Sequence, residues 1–177
     1  MLRACDVLFS VVVLLFGFPI LLILFILGLF DTGSPIYRQV RIGQHQKKFV
    51  LVKFRTMKTS TISVPSHLVD PNSVTKLGHF MRRMKLDELP QLWNVLLGDM
   101  SLVGPRPGLF NHQELIDARK KYGVFDALPG ITGLAQVSKI DMSTPDLLAM
   151  TDNEMIRNLT IRAYFRYIFM TIFCICY

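Results

Sequence analysis

The sequence predicts an α+β protein with three parts. A membrane-seated N-terminal helix, weakened at its centre, precedes a small mixed α/β domain, and an apolar, aromatic tail follows. Three observations carry this. Residues 7–30 form a run of 24 without a charge, closed by Asp6 and Asp31. Residues 32–58 hold short apolar and alternating runs bounded by turn signals, which suits strands. From Lys76 onward, helical patterns are separated by Pro-Gly turns.

The uncharged run would measure about 36 Å as a helix, enough for a hydrocarbon core of roughly 30 Å. A signal peptide is the rival reading. Its apolar region would be about 7–15 residues long and followed by a small-residue cleavage site. "ILGLFDTGSP" is a poor cleavage site, so a retained segment is expected. Pro19 lies at its middle, after Gly17 and Phe18. Proline removes a backbone donor and crowds the carbonyl four residues back, so the helix should kink there. A mild kink would still let the chain span, whereas a sharp one would return it to the same face. Composition does not choose between them, and the flanking charges, Arg3 against Arg38 and Arg41, are weak guides.

After "DTGSPIY", a turn signal, "KKFVLVKFRTMK" reads as a strand ending in alternating basic residues, Lys53, Arg55 and Lys58. Residues 59–75 are polar, carry two prolines and read as a mobile loop able to act as a lid. Residues 76–97 look helical, with a break at Pro90. "LGDMSLVGPRP" reads as turn, extended piece and rigid exit, and "ALPGITGLAQV" as a turn leading to a short apolar strand. "STPDLLAMTDNEM" opens a helix, with Ser143 or Thr144 as cap, Pro145 in the first turn and Asp146 at the positive end. The tail "YFRYIFMTIFCICY" is too short to span and suits a helix lying in the membrane interface, or one buried against the domain. The expected divisions are therefore 1–31, 32–163 and 164–177. Cys5, Cys174 and Cys176 form neither a disulfide framework nor a zinc pattern, which fits a reducing compartment.

Charge is unevenly spread. Residues 38–106 contain 12 Lys or Arg and 4 Asp or Glu. Anionic headgroups would attract such a surface, by about 1 kcal/mol per basic residue. No nucleic-acid motif is present, and the membrane segment argues against that partner. A phosphate-rich substrate is the sharper reading. Within the basic region stands an acid pair, Asp87 and Glu88, in "MKLDELPQLWNV". Neighbouring residues on a helix diverge by about 100°, so the two do not share a proton; one can attack while the other holds a divalent cation. In "GPRP", Arg106 sits between two fixed φ angles and can present its planar fork to phosphate at little ordering cost.

Here the motifs carry a family resemblance. "PIYRQVRIG", "KFRTM", "LDELPQLWNVLLGDMSLVGPRP" and "PGITGLAQV" resemble the bacterial sugar transferases, the monotopic polyprenyl-phosphate phosphoglycosyl transferases, in their small, catalytic-core form. The resemblance implies a re-entrant helix-break-helix broken at Pro19, a cytoplasmic catalytic domain with interfacial helices, and residence at the cytoplasmic face of a bacterial inner membrane. It also implies transfer of a sugar 1-phosphate from a UDP-sugar to undecaprenyl phosphate, the first membrane step of a surface glycan, with membrane lipids and downstream glycosyltransferases as further partners. Asp87 matches the nucleophile and Glu88 the magnesium ligand, with Mg2+ as cofactor. Lys53, Arg55, Arg82, Arg106 and Lys139 are the matching substrate-binding candidates. Leu128 stands where an Arg is common, and Ser138 and Lys139 where many members carry Asn-Gly-Arg, so nucleotide or sugar contacts should differ there. A non-catalytic, membrane-anchored protein that binds anionic lipid is the competing class. It accounts for the anchor and the charge, but not for "LDELPQ" together with "GPRP".

Overall fold

A computed structural model describes residues 2–61 and 71–173. Helix α1 (Leu2–Thr32) is the one described helix long and apolar enough to cross a membrane. The helix runs through Pro19 without interruption, where the sequence suggests two pieces. Proline deletes a single donor, so the hydrogen-bonded turns on either side can persist.

α1 grips the domain at two places. Near its start, Arg3 donates to the carbonyls of Val95 (2.6 Å) and Met100 (3.1 Å). One turn on, the buried Asp6 carboxylate accepts from Ser101 Oγ (3.0 Å), Leu102 N (2.8 Å) and Tyr164 Oη (2.6 Å). Near its end, Leu24 packs with Phe54 and Met81, and a Cβ placed on Gly28 would lie 2.8 Å from Pro35. Between the two grips, Leu15, Phe16, Phe18 and Ile20 are exposed.

Strands β1 (Ile36–Ile42) and β2 (Lys48–Phe54) form an antiparallel hairpin with Tyr37 opposite Lys53. β4 (Gly108–Leu109) adds to β1's other edge, giving the order β2-β1-β4. The outer edge of β2 is closed by a side chain. Asn94 Oδ1 accepts from Val52 N (3.0 Å), and its Nδ2 donates to Val50 O (2.8 Å), which satisfies edge groups that would otherwise be buried unpaired.

β3 (Ser101–Val103) and β5 (Gly130–Thr132) pair in parallel. The pairing continues into the proline-rich segment, where Gly130 N donates to Pro105 O at 2.8 Å. A Cβ on Gly130 would lie 2.0 Å from the Gly104 nitrogen, so the two backbones touch. That contact explains why "GPRP" and "PGITG" occur together, and it fixes Arg106 from below. The principal core joins Phe49, Leu51, Leu92, Val95, Met100 and Tyr164, linking the hairpin, α3 (Gln91–Leu97) and α7 (Ile161–Phe173).

Several boundaries differ from the sequence reading. Residues 76–97 form α2 (Lys76–Arg83), a 3-10 turn (Leu86–Glu88) and α3, so the break is wider than Pro90 alone. Lys85, at φ 55°, is where helix α2 cannot continue. "LAQV" is a helical turn, α5 (Leu134–Val137); β5 ends at Thr132, and four residues are too few to show a period. α6 (Pro145–Arg157) begins as expected, but no side chain caps it; Ser143 bonds Asp141 instead. α6 packs against α4 (Gln113–Lys121), where Arg119 and Asp152 form a buried 2.8 Å ion pair. α7 begins at Ile161, buries Tyr164 and exposes Phe165, Phe169 and Ile172. Most of the 59–75 loop, residues 62–70, and the tail beyond 173, including Cys174 and Cys176, lie outside the described residues.

Candidate active site

The acid pair lies on the 3-10 turn between α2 and α3, not within a helix. A turn this tight splays adjacent side chains further apart than an α-helix does. The consequence is two unlike environments. Glu88 Oε1 takes a 2.8 Å hydrogen bond from Arg106 Nη2 in an ion pair, with the glutamate side chain only 14% exposed. Burial alone would raise its pKa, but Arg106, helped by Lys85 and Lys53, outweighs burial and holds it below the ordinary value. Asp87 is buried and accepts no hydrogen bond from the described residues. Burial and the neighbouring Glu88 raise its pKa, against the pull of Lys53, Arg82 and Lys85. One carboxylate is therefore clamped and ionised, and the other is left unclamped and more basic.

The cations arrive from separate elements. Lys53 stands on β2 with its ammonium 5.6 Å from the Tyr37 ring. Burial, then Arg106, lowers its pKa to about 8, although Asp87 and Glu88 pull the other way. Arg106 is held by the Gly104–Gly130 contact and lies among Arg41, Lys53, Glu88 and Gln91 around a small cavity of about 20 Å³. A second, polar cavity of about 200 Å³ is lined by Lys85, Arg106, Gln136, Lys139 and Asp141. Lys139 is thus brought beside Arg106 although 33 residues separate them. Arg82 donates its Nε to Thr56 Oγ1 at 2.8 Å and acts on Asp87 through its charge. The close approach of α2 to Thr56 needs Gly78, where a Cβ would lie 2.1 Å from the Thr56 carbonyl oxygen. Arg55 shares the Tyr37 ring with Lys53, its guanidinium carbon 5.2 Å from the ring centre, and its Nε donates to Ser34 O at 2.8 Å. Pro19 is remote from these groups in sequence, within α1.

Sequence reasoning did not assign Arg41 or Lys85 a role in the site. Arg41 donates to Pro107 O (3.1 Å) and Gln39 Oε1 (2.6 Å), and burial together with Arg106 lowers its pKa to about 10. Strand parity could have found it. Tyr37, Gln39 and Arg41 share one face of β1, and Tyr37 pairs with Lys53. Lys85 lay in plain view beside the acid pair, but its placement between two cavities depends on the left-handed backbone.

The donor set fits magnesium in its sparse mode. Magnesium is commonly held by one or two carboxylates, with substrate phosphates and waters completing the shell. Glu88 keeps one oxygen free of Arg106, Asp87 is adjacent, and both are hard oxygen donors. No cluster of three or more His, Cys, Asp or Glu exists among the described residues, so the protein alone would not enclose the ion.

Comparison with known proteins gives a consistent picture. A family model described as bacterial sugar transferase matches residues 1–177. The exopolysaccharide production protein ExoY of Rhizobium meliloti (strain 1021) is 34% identical, the match covering 98% of this chain and 84% of that protein. The UDP-glucose:undecaprenyl-phosphate glucose-1-phosphate transferase of Escherichia coli (strain K12) is 37% identical, with 97% of this chain and 39% of the relative matched. The UDP-galactose-lipid carrier transferase of Erwinia amylovora is 38% identical over 77% of this chain and 32% of its own. The chain thus spans about a third of the length of several curated relatives.

Proposed function

The chain belongs to the bacterial sugar transferase family, and on that premise we propose that it transfers a sugar 1-phosphate from a UDP-sugar to undecaprenyl phosphate. The observation that carries this reading is the split acid pair: Glu88 clamped by Arg106, and Asp87 more basic and unclamped beside it. Relatives named as undecaprenyl-phosphate sugar transferases support the reaction class.

In this mechanism an Asp87 carboxylate oxygen attacks the sugar-bearing phosphorus of the UDP-sugar. A phosphorus–oxygen bond forms, the bond to UMP breaks, and UMP leaves with that electron pair. The phosphosugar remains on Asp87 as an acyl phosphate. A phosphate oxygen of undecaprenyl phosphate then attacks the same phosphorus, and the Asp87 carboxylate is restored. A raised pKa makes that carboxylate a better nucleophile, because nucleophilicity rises with basicity. Arg41, Lys53 and Arg106 offset the repulsion between a carboxylate and the approaching phosphates. Glu88 would hold magnesium, which supplies further neutralisation of phosphate charge. Lys139, which lines the larger cavity together with Arg106 and Gln136, is a candidate for nucleotide or sugar contact at a position where this chain departs from the family pattern.

The same reading puts the protein on the cytoplasmic face of the membrane, with α1 re-entrant although its helix continues through Pro19. Both ends of α1 hold one domain, through Arg3 and Asp6 at one end and Leu24 and Gly28 at the other. A straight helix of 31 residues is about 46 Å long. A spanning helix would strand Asp6 on the far side of the bilayer. A helix dipping in by its exposed middle, residues 15–20, keeps both contacts and sets the acid pair near headgroup height.

Intact-protein mass spectrometry tests the scheme. Wild type mixed with UDP-sugar and magnesium, without lipid acceptor, should gain a phosphosugar mass that Asp87→Asn lacks, and initial-rate lines should run parallel. Intersecting lines with no adduct on rapid quenching would replace the covalent scheme with direct transfer. No UMP release from any UDP-sugar would return the protein to the lipid-binding class.

A further inference from the structure

Beside the two polar cavities lies a third space of different character. It is partly open, holds about 280 Å³, and is walled by Phe9 and Val13 of α1, Leu86 and Leu89 near the acid pair, and Ile168 and Ile172 of α7. Its few polar groups are Lys85, Glu88 and two threonines, Thr132 and Thr171, whose hydroxyls hydrogen-bond each other. The same helices that wall it also turn Leu8, Val12, Phe165 and Phe169 outward, so the space is bounded by surfaces suited to lipid.

Two features define what could occupy it. The lining offers almost no hydrogen-bonding group along its length, which excludes a nucleotide or sugar, whose polar atoms would lose water without replacement. At one limit it reaches Glu88 and Lys85, and Lys85 also lines the polar cavity that contains Arg106. Lys85 therefore stands where an apolar compartment meets one that also contains Arg106 and Lys139. Its backbone is held at φ 55°, a conformation a non-glycine residue adopts only when its surroundings impose it. An amphiphile with one anionic head and a long apolar chain matches this arrangement, chain in the cavity and head at the lysine.

We propose that the cavity between α1 and α7 takes the first isoprene units of the polyprenyl phosphate acceptor, and that Lys85 receives its phosphate beside the acid pair. The proposal rests on the transferase reading and adds a path to it. Donor and acceptor would then come to the acid pair from different compartments that share Lys85: the apolar one is lined by Leu86 and Glu88, which flank Asp87 in the chain, and the other by Arg106.

Photolabelling of the wild-type protein in detergent, with a benzophenone-bearing isoprenyl phosphate, tests the site directly. Peptide mapping should place adducts in residues 9–13 and 168–172, competed by undecaprenyl phosphate and not by phosphatidylglycerol. Kinetics add a second arm. Val13→Trp narrows the cavity and should lower kcat/KM for undecaprenyl phosphate about tenfold relative to geranyl phosphate, whose short chain needs less of it. Lys85→Met should raise KM for both acceptors. Labels mapping instead to exposed Trp93 and Leu97, equal competition by phosphatidylglycerol, or an unchanged undecaprenyl-to-geranyl ratio would each overturn the proposal. Labelling needs no turnover, so competed labels at this site in a protein that never releases UMP would sink the transferase reading and leave the lipid site standing.

Discussion

Asp6→Ala should detach the first helix from the domain, and the cost can be worked from the geometry. Asp6 Oδ1 accepts three hydrogen bonds, from Ser101 Oγ at 3.0 Å, Leu102 N at 2.8 Å and Tyr164 Oη at 2.6 Å. All lie in a buried setting, and the Leu102 amide cannot rotate toward another partner. Each stranded buried donor costs about 1–3 kcal/mol. The two hydroxyls recover part of that by turning, and removing a buried carboxylate returns its own desolvation cost, so the net loss should be about 3 kcal/mol. For a chain of this size that corresponds to a fall in Tm of roughly 6–12 °C. Asp6→Asn keeps an acceptor and should lose about half as much. Tyr164→Phe removes one donor, and Asp6→Ala combined with Tyr164→Phe should cost less than the sum, since both delete the same bond. Denaturant unfolding in detergent, followed by tryptophan fluorescence, reads all four proteins. Asp6→Ala within about 0.5 kcal/mol of wild type, the usual range for an unimportant surface change, would show that the α1 grip carries no stability and refute the reasoning.

Three further outcomes follow from the site and the helix. A cysteine introduced before Arg3 should resist membrane-impermeant reagents applied from the periplasmic side of intact cells, and efficient labelling there would establish a spanning α1. Glu88→Gln keeps the shape of the clamp but not its charge; UMP release should fall about a hundredfold or more, as for loss of a charge-stabilising group, and EDTA should silence the wild type. Full activity in EDTA would remove magnesium from the scheme. The pH profile of kcat/KM reports the free enzyme. Protonating Asp87 removes the nucleophile, so activity should fall on the acid side at a pH above the ordinary aspartate value of 3.8. Lys53 loses its charge as pH rises through about 8, so activity should fall there too, and Lys53→Arg should move that limb upward. An identical alkaline limb in Lys53→Arg would show that another group titrates.

Much of this was legible because the informative features are local. A charge-free run, an Arg between prolines and an acid pair in a basic field can each be read within a short window, and their motifs carry the family. What stayed hidden depends on contacts across the chain. Asn94 reads as one polar residue in "LWNV", yet it closes the edge of β2 from more than 40 residues away. Asp6 reads as the boundary of an apolar run, yet it is a buried acceptor for α7 and β3. Arg41 needed the hairpin register before its face could be assigned. "LAQV" was too short for periodicity to separate a strand from a helical turn. The tightness of the 86–88 turn, which sets the two carboxylates apart, follows from the left-handed Lys85 and from Pro90 at the start of α3, and neither has a periodic signature.

The electrostatics of the site also bear on the substrate proposed for it. Burial lowers the pKa of both Lys53 and Arg41, and Arg106 lowers each further. Glu88 is shared mainly with Arg106, so the acids do not neutralise the three cations equally. Such a cluster is held together by the surrounding backbone: Gly104 against Gly130, Asn94 against β2, and Arg41 on the Pro107 carbonyl. An incoming diphosphate relieves the mutual repulsion and raises the affinity of Lys53 for its proton, so that binding and full protonation reinforce each other. A neutral sugar or an apolar chain brings no such relief. On the proposed reading, the cation cluster favours phosphate charge, the acid pair acts on the phosphorus, and the choice of sugar falls to the cavity lined by Lys139, where this chain departs from its family's usual residues.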